Sequence, residues 1–288
     1  MDNLSFSFNL FQDLQGMWQY AFMRNAFEAG TIVALIAGII GYFVVLRRSS
    51  FAAHALSHIG FAGAAGAVLM GIPPMFGLFV FTSGGGIIMA LLGRRAANRD
   101  VEIGTTLAFM LGLGALFISL YSGYASEAYS LLFGQILGIS ANDVLVTLIA
   151  GLAILLVFCA AYRPLLFSSI DEDVAEAKGV PMLFVHIIFM LLVAFATSIA
   201  VQAVGILLIF ALMVTPAAIA ARLTKRPVRG MLISAVIALV ATWFGLFVSF
   251  YLPYPVSFFI TASVFAFYLI VRIATAKNTG ETSALTQH

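Results

Sequence analysis

The sequence predicts an all-α membrane protein, a polytopic transmembrane helical bundle of about eight to nine spans with a short cytoplasmic helix. Three observations predict it. Of the 288 residues, 62% are hydrophobic and only 9% are charged, so the apolar side chains exceed what a soluble core can bury. Long stretches contain no Asp, Glu, Lys or Arg at all. The alternating segments of about ten residues that are typical of membrane β-barrels do not occur.

Charge and cysteine content exclude several function classes. The chain has fourteen Lys and Arg and twelve Asp and Glu, and its net charge of +2 does not indicate a nucleic-acid-binding protein. The single cysteine, Cys159, excludes a disulfide framework and a cysteine metal site. A soluble enzyme, a disordered chain and a secreted mini-protein are therefore excluded by composition.

The uncharged stretches define the spans, because a crossing needs about 20 apolar residues. Three of the six stretches are about twice that length. Pro73-Pro74 and Pro253-Tyr254-Pro255 divide two of them, and Ser198 and Gln202 mark a short turn in the third. We therefore expect nine crossings, or eight if one stretch is re-entrant. The stretches are 29–46, 49–93, 103–126, 144–162, 179–221 and 230–271.

The basic residues predict the orientation, because Lys and Arg concentrate in cytoplasmic loops. With nine alternating spans, thirteen of the fourteen fall inside and only Arg24 falls outside. This places the N-terminus outside and the C-terminus in the cytoplasm of a bacterial cytoplasmic (inner) membrane protein. We expect an outer interfacial segment at 1–23, a transmembrane domain at 24–277 and a cytoplasmic tail at 278–288. The cytoplasmic set is Arg47, Arg48, Arg94, Arg95, Arg99, Arg163, Lys178, Arg222, Lys225, Arg226, Arg229, Arg272 and Lys277.

One cytoplasmic segment, about 169–179, carries strong helix signals. Ser169 and Glu172 have the spacing of a capping box, and acidic residues 171–173 suit the first turn of a helix. Gly179 suits the position after the last turn, and Pro181 prevents continuation. A helix of about nine residues is too short to be stable alone, so it packs either on its own bundle or on a cytoplasmic partner.

His54 and His58 are the candidate metal ligands, because the i,i+4 spacing places both imidazoles on one face of a helix. Imidazole binds zinc and other transition metals, and ionisable groups at membrane depth are costly and usually functional. The alternative is that each histidine caps a neighbouring polar group. His186 is a weaker candidate for a third ligand. Three acidic residues near the outer span ends would attract a cation or lie as solvated surface charge: Glu28, Glu127 and Asp143.

Two sequence motifs that would indicate an enzyme, the zinc-protease helix and the P-loop, are absent from the sequence. A zinc-protease helix needs a glutamate after its first histidine, and that position is Ala55. No Gly-x-x-x-x-Gly-Lys-Ser/Thr occurs, so this chain has no P-loop for ATP. Active transport would therefore need energy from a partner or from an ion gradient.

Several motifs together resemble one family, the membrane permeases of zinc, manganese and iron ABC importers (the ABC-3 family). The likeness spans nearly the whole chain. Within it, Glu176-Ala177-Lys178-Gly179 resemble the coupling helix that docks on an ATP-binding subunit. The motifs are Arg47-Arg48 before His54-Ala55-Leu56-Ser57-His58-Ile59 and Gly63, Asp100-Val101-Glu102-Ile103-Gly104, Leu132-Phe133-Gly134-Gln135-Ile136-Leu137, Ala175 to Gly179, Val204-Gly205-Ile206-Leu207-Leu208, and Pro216-Ala217-Ala218.

The resemblance implies a permease of an ATP-driven importer for divalent transition metals. It implies a homodimer in the lipid bilayer, a cytoplasmic ATP-binding subunit that holds the ATP, and an extracytoplasmic metal-binding protein. No catalytic residue and no permanently bound cofactor are expected. The implied metal contacts are His54 and His58, and the residues implied in coupling to the ATPase are Asp171, Glu172, Glu176, Ala177 and Gly179.

The metal preference rests on one departure from the family. Many members carry an aspartate where this chain has His54, and imidazole in place of carboxylate favours zinc over manganese. Zinc is therefore the first expectation, followed by manganese and iron. Two alternatives remain at this level: a stand-alone metal channel or gradient-driven carrier, and a scaffold with structural histidines.

Overall fold

The computed structural model describes residues 15–92, 99–120, 134 and 136–285, and in these ranges it is helical without strands. A short 3₁₀ helix, Ile136–Gly138, precedes α5. Side chains are described up to residue 275, except at 99 and 207. The α-helices are α1 (Ala21–Leu46), α2 (Ser50–Leu69), α3 (Pro74–Leu92), α4 (Arg99–Leu120), α5 (Ala141–Ile170), α6 (Glu172–Ala177), α7 (Met182–Val204), α8 (Ile206–Leu223), α9 (Pro227–Tyr251) and α10 (Val256–Leu285).

Eight of the described helices are long and apolar enough to cross a membrane: α1 to α5, α7, α9 and α10. The apolar part of α8, Leu208–Leu223, is shorter. The whole of α8 has 18 residues and is about 27 Å long, close to the thickness of the hydrocarbon core. The predicted polytopic helical bundle is confirmed, and α8 is the helix on which a count of eight or nine depends.

The helices form an inner group and an outer group. In the most apolar 18 residues of each helix, 67% of α1, 78% of α2 and 67% of α7 are buried. The same share is only 11% in α4 and 17% in α10. Helix α8 belongs to the inner group, since it packs on α1, α9 and α10 and its Leu212 and Met213 are fully buried. The outer helices present apolar side chains such as Phe109 and Phe265, which suits contact with lipid.

Glycines allow the inner helices to approach one another closely. A Cβ at Gly41 of α1 would collide with the main chain at Met213 of α8, and the facing glycines Gly63 of α2 and Gly77 of α3 leave no room for one either. Small residues at helix interfaces are the usual means of close packing in membranes. Helix α1 is therefore tightly packed on α8, and α2 on α3.

The two proline breaks lie where the sequence predicts them. Helix α2 ends at Leu69 and α3 begins at Pro74; α9 ends at Tyr251 and α10 begins at Val256. The predicted turn at Ser198 and Gln202 is wrong, because α7 continues to Val204 and the break is Gly205, with φ +83°. Ser198 lies inside α7, where its hydroxyl donates to the carbonyl of Ala194 at 2.9 Å, so this polar side chain is satisfied without a turn.

Two predicted features lie wholly or partly outside the described residues: the candidate Glu127, and most of the predicted outer segment at 1–23. At the other end, α10 runs to Leu285, so the backbone of most of the expected tail at 278–288 continues the last helix.

Candidate functional sites

The two candidate ligands, His54 and His58, lie together on α2. Their ring centroids are 4.7 Å apart and the ring planes meet at 81°. Both side chains are half-buried, as the i,i+4 spacing on a helix facing the bundle interior requires. Ser57 between them is buried and donates its hydroxyl to the carbonyl of Ala53 at 3.2 Å, so that hydroxyl stabilises the helix.

His54 has one ring nitrogen without a protein partner. Its ring meets Phe210 of α8 at a tilt of 64°, with centroids 4.8 Å apart. The buried Nδ1 atom accepts or donates no hydrogen bond within the described part of the chain. An unsatisfied buried polar atom costs about 1–3 kcal/mol. This argues against the alternative in which His54 caps a neighbouring group, and it leaves a nitrogen available for a ligand.

A third protein ligand beside the pair was sought among the described residues. Among the described side chains, no group of three or more His, Cys, Asp or Glu could hold a metal ion. His186, the predicted weaker candidate, contacts Glu172 instead, with Nε2 3.0 Å from Oε1. Asp143 accepts bonds from the backbone and hydroxyl of Ser140 as part of a helix cap, and Glu28 is exposed.

The predicted cytoplasmic helix exists as α6, with a different start. Ser169 is not its cap, because α5 continues through Ser169 to Ile170. The N-cap is Asp171, whose carboxylate accepts from the backbone of Val174 at 2.9 Å. The predicted capping box between Ser169 and Glu172 is therefore wrong. The Ser169 hydroxyl contacts Arg47 at 3.2 Å, and this tertiary contact has no signature in the local sequence.

The predicted end of the helix is confirmed. Gly179 has φ +82°, which only glycine adopts without strain. The backbone of Gly179 donates to the carbonyl of Glu176, and that of Val180 donates to Ala175, which is the Schellman pattern. Because Ala175 is buried whereas Glu176 and Ala177 are exposed, α6 rests on the bundle and presents its other face outward.

A buried arginine joins α6 to the bundle, and sequence analysis did not find it. Arg47, at the end of α1, is only 6% exposed in its side chain and lies 3.7 Å from the carboxylate of Glu172. Its guanidinium donates to the hydroxyl of Ser168 at 2.7 Å and lies over the ring of Phe189, 5.0 Å from its centroid. The sequence showed Arg47 as a cytoplasmic charge and as part of the Arg47-Arg48 motif, but its burial depends on helices distant in the chain.

At the opposite end of the bundle, a loop closes over the break between α7 and α8. Gly134 has φ +75°, and a Cβ there would collide with the backbone of Val204 and Gly205. The amide of Asn25 on α1 donates to the carbonyl of Ile139 in the same loop at 3.0 Å. Two sequence motifs that are about 70 residues apart in the chain, around Gly134 and Gly205, thus meet directly.

Known proteins share both the sequence and this fold. Residues 19–275 match the model of the ABC 3 transport family. The chain is 30% identical over 276 residues to the manganese import system permease protein ScaB of Streptococcus parasanguinis, covering 96% of this chain and 98% of that protein. It is 32% identical over 254 residues to the manganese transport system membrane protein MntC of Halalkalibacterium halodurans, covering 86% and 84%.

Two solved structures agree. The structure of PsaBC from Streptococcus pneumoniae in complex with Fab matches with a TM-score of 0.81 and 29% identity, over 91% of this chain and 95% of that one. An inward-facing conformation of a putative metal-chelate type ABC transporter matches with a TM-score of 0.67 and 16% identity, over 95% and 93%. This second likeness supports the fold alone.

The fold and the comparisons together define a multi-pass membrane permease. The chain belongs to the ABC 3 transport family and is a permease subunit of a metal ABC transporter. Such subunits are not enzymes, and the ATPase is a separate subunit.

Proposed function

We propose that this chain carries a divalent transition metal ion inward across the bacterial cytoplasmic membrane, with manganese as the first candidate. The observation that carries the proposal is the pair His54 and His58, whose rings lie 4.7 Å apart inside a chain of this family. The metal would pass this pair as cargo. ATP binding and hydrolysis on the partner subunit would drive it.

The incomplete ligand set is consistent with transport rather than storage. A structural zinc site has four protein ligands, whereas a conducting site must bind weakly enough for the ion to leave. Two imidazoles, one with a buried unpaired nitrogen, supply part of a coordination shell. Water would complete it during passage. A scaffold function would leave the unpaired nitrogen of His54 without a role.

Manganese and zinc are favoured by different observations. Relatives that are 30% and 32% identical carry manganese in their names, and this supports manganese here. Nitrogen ligands suit zinc better than manganese, which prefers oxygen, and the histidine pair therefore keeps zinc as the second candidate. Iron lies between the two in ligand preference.

We further propose that α6 is the coupling helix. Asp171 and Gly179 define its ends, and Glu176 and Ala177 are exposed on it. These exposed residues would contact the cytoplasmic ATP-binding subunit. A homodimer with one ATP-binding subunit per permease, supplied by an extracytoplasmic metal-binding protein, would complete the importer.

Metal uptake tests the proposal most directly. Cells that lack their own high-affinity manganese and zinc importers would express this chain with its ATP-binding subunit and metal-binding protein. Uptake of radioactive manganese and zinc would be measured for wild type, His54→Ala, His58→Ala and an ATPase-inactive partner. Ser57→Ala is the matched control, since it removes a buried hydroxyl between the histidines that donates to the carbonyl of Ala53 in the same helix.

We expect uptake to fall by at least about 10-fold in either histidine variant, because even indirect partners of a metal ligand contribute that much. Ser57→Ala should transport normally, and the inactive ATPase should abolish uptake. Normal uptake in the histidine variants would remove them from the route. Uptake that continues with the inactive ATPase would favour a channel or gradient-driven carrier.

A further inference from the structure

Three chain segments meet in a small polar cluster at the cytoplasmic end of the bundle. We call Arg47, Glu172 and His186 the cytoplasmic junction. They come from the end of α1, the first residue of α6 and the first turns of α7. Glu172 joins the other two, because its Oε1 atom lies 3.0 Å from Nε2 of His186 and 3.7 Å from the Arg47 guanidinium.

Arg47 holds a fixed position in this cluster. Besides its contact with Glu172, its guanidinium donates to the Ser168 hydroxyl at 2.7 Å and to the Leu165 carbonyl at 3.5 Å, both near the end of α5. The guanidinium is planar and always charged, so it holds several acceptors in a fixed geometry. Its 6% exposure means that it is packed among helices.

Helix α6 cannot keep its position without such contacts. It has six residues, far fewer than an isolated helix needs, and one residue, Ala175, is its buried apolar contact. The link to Arg47 and His186 attaches its first turn to two of the most buried helices, α1 and α7. Helix α1 in turn packs against α8 at Gly41 and Met213, and α8 carries Phe210, which touches His54.

We propose that Glu172 is a positioning residue that makes α6 move together with the ends of α1 and α7. This rests on the proposed function, in which an ATP-binding subunit acts on α6. Glu172 would thus face inward to the permease, while Glu176 and Ala177 face the ATPase. Without Glu172, movement of α6 would be absorbed in its flanking turns, and ATP hydrolysis would continue without matching metal transport.

The test measures transport and hydrolysis in the same sample. The full importer would be reconstituted in proteoliposomes with its ATP-binding subunit, and manganese-loaded metal-binding protein would be added. Manganese uptake and phosphate release would be recorded for wild type, Glu172→Gln and Arg47→Lys. Glu172→Gln keeps the side-chain shape at a position that is 59% exposed, so folding is preserved. The matched control is Asp100→Asn, which removes a carboxylate charge from an exposed residue in the first turn of another helix, α4.

We expect Glu172→Gln to lower the manganese transported per ATP hydrolysed by about two- to fivefold, the range that one half-exposed ion pair produces. Arg47→Lys should lower it in the same direction, and Asp100→Asn should leave it unchanged. A structural contact alone would lower the amount of assembled importer and both rates in proportion; that result, or an unchanged ratio, would overturn the proposal. Wild type and Asp100→Asn report separately on the proposed function, since absence of ATP-driven uptake in both would contradict the importer itself.

Discussion

At the scale of single residues, the metal preference proposed for the pair depends on position 54. His54 offers a nitrogen ligand, whereas an aspartate at this position would offer a hard oxygen. Zinc accepts imidazole readily, whereas manganese is better served by carboxylate. The manganese names of the relatives and the ligand chemistry of this chain therefore point in different directions, and a substitution can separate them.

We predict that His54→Asp raises the ratio of manganese to zinc uptake. The carboxylate adds a hard oxygen ligand, and His58 keeps one nitrogen in place. Competition uptake with both metals at equal concentration checks this, with His54→Asn as the matched control because it has the same shape and no charge. An unchanged ratio in His54→Asp would mean that position 54 does not contact the ion.

At the scale of elements, two glycines with positive φ allow the cost of backbone strain to be compared with the cost of a steric collision. Gly134 and Gly71 have φ values of +75° and +70°, so a side chain costs each about 1–2 kcal/mol from the left-handed conformation. A Cβ at Gly71 would meet open space, whereas a Cβ at Gly134 would collide with the backbone of Val204 and Gly205. The loop at Gly134 can therefore close over the α7–α8 break only if this residue lacks a side chain.

We predict that Gly134→Ala destabilises the permease by about 1–3 kcal/mol more than Gly71→Ala, the usual cost of forcing extra atoms into a packed site. The apparent melting temperature of the detergent-solubilised protein would order the variants as wild type, Gly71→Ala, Gly134→Ala. Equal shifts in melting temperature for the two alanine variants would show that Gly134 does not contact the α7–α8 break closely in solution.

The elements also show which structural features local sequence can predict. Charge-free stretches and prolines gave the spans, since burial in lipid and the missing proline N–H act locally. Gly179 was predicted for a similar reason, because the positive φ that it adopts is also a local property of the backbone. The turn at Ser198 and the cap at Ser169 were wrong because each hydroxyl donates to a carbonyl of its own helix, Ala194 and Leu165 respectively. Each also has a tertiary partner, since Thr82 lies 2.7 Å from Ser198 and Arg47 donates to Ser169.

The candidate sites follow the same rule. The proximity of the histidine pair could be predicted because both side chains lie on one helix, four residues apart. The cytoplasmic junction could not, because Arg47 and Glu172 are separated by 125 positions in the chain and come together only when α1, α5 and α7 pack. Local spacing identifies a site on one element, whereas a site shared by several elements requires the fold.

At the scale of the whole molecule, α8 decides the topology. If α8 crosses the membrane, nine spans place both Lys178 and Lys225 in the cytoplasm, together with most other basic residues. If α8 does not cross, Lys225 lies on the side opposite Lys178, and the basic loop at 222–229 would face outward. Its burial among α1, α9 and α10 and its length of 18 residues favour a full crossing.

We predict that single cysteines at Lys178 and Lys225 react from the cytoplasmic side and that one at Met70 reacts from outside. The background is Cys159→Ser, which removes the only native cysteine, and Met70 is 67% exposed. A membrane-impermeant maleimide would be applied to spheroplasts and to inverted vesicles without the ATP-binding subunit, which would cover α6. Each variant would first be shown to import manganese with its partners, so that labelling reports on a functional fold.

The two positions beside α8 make the outcome decisive. Labelling of Lys178→Cys and Lys225→Cys in inverted vesicles alone establishes nine crossings, and with them an external N-terminus and a cytoplasmic C-terminus. Labelling of Lys225→Cys together with Met70→Cys in spheroplasts would make α8 re-entrant. The crossing of α8 therefore fixes on which side of the membrane the basic loop at 222–229 lies.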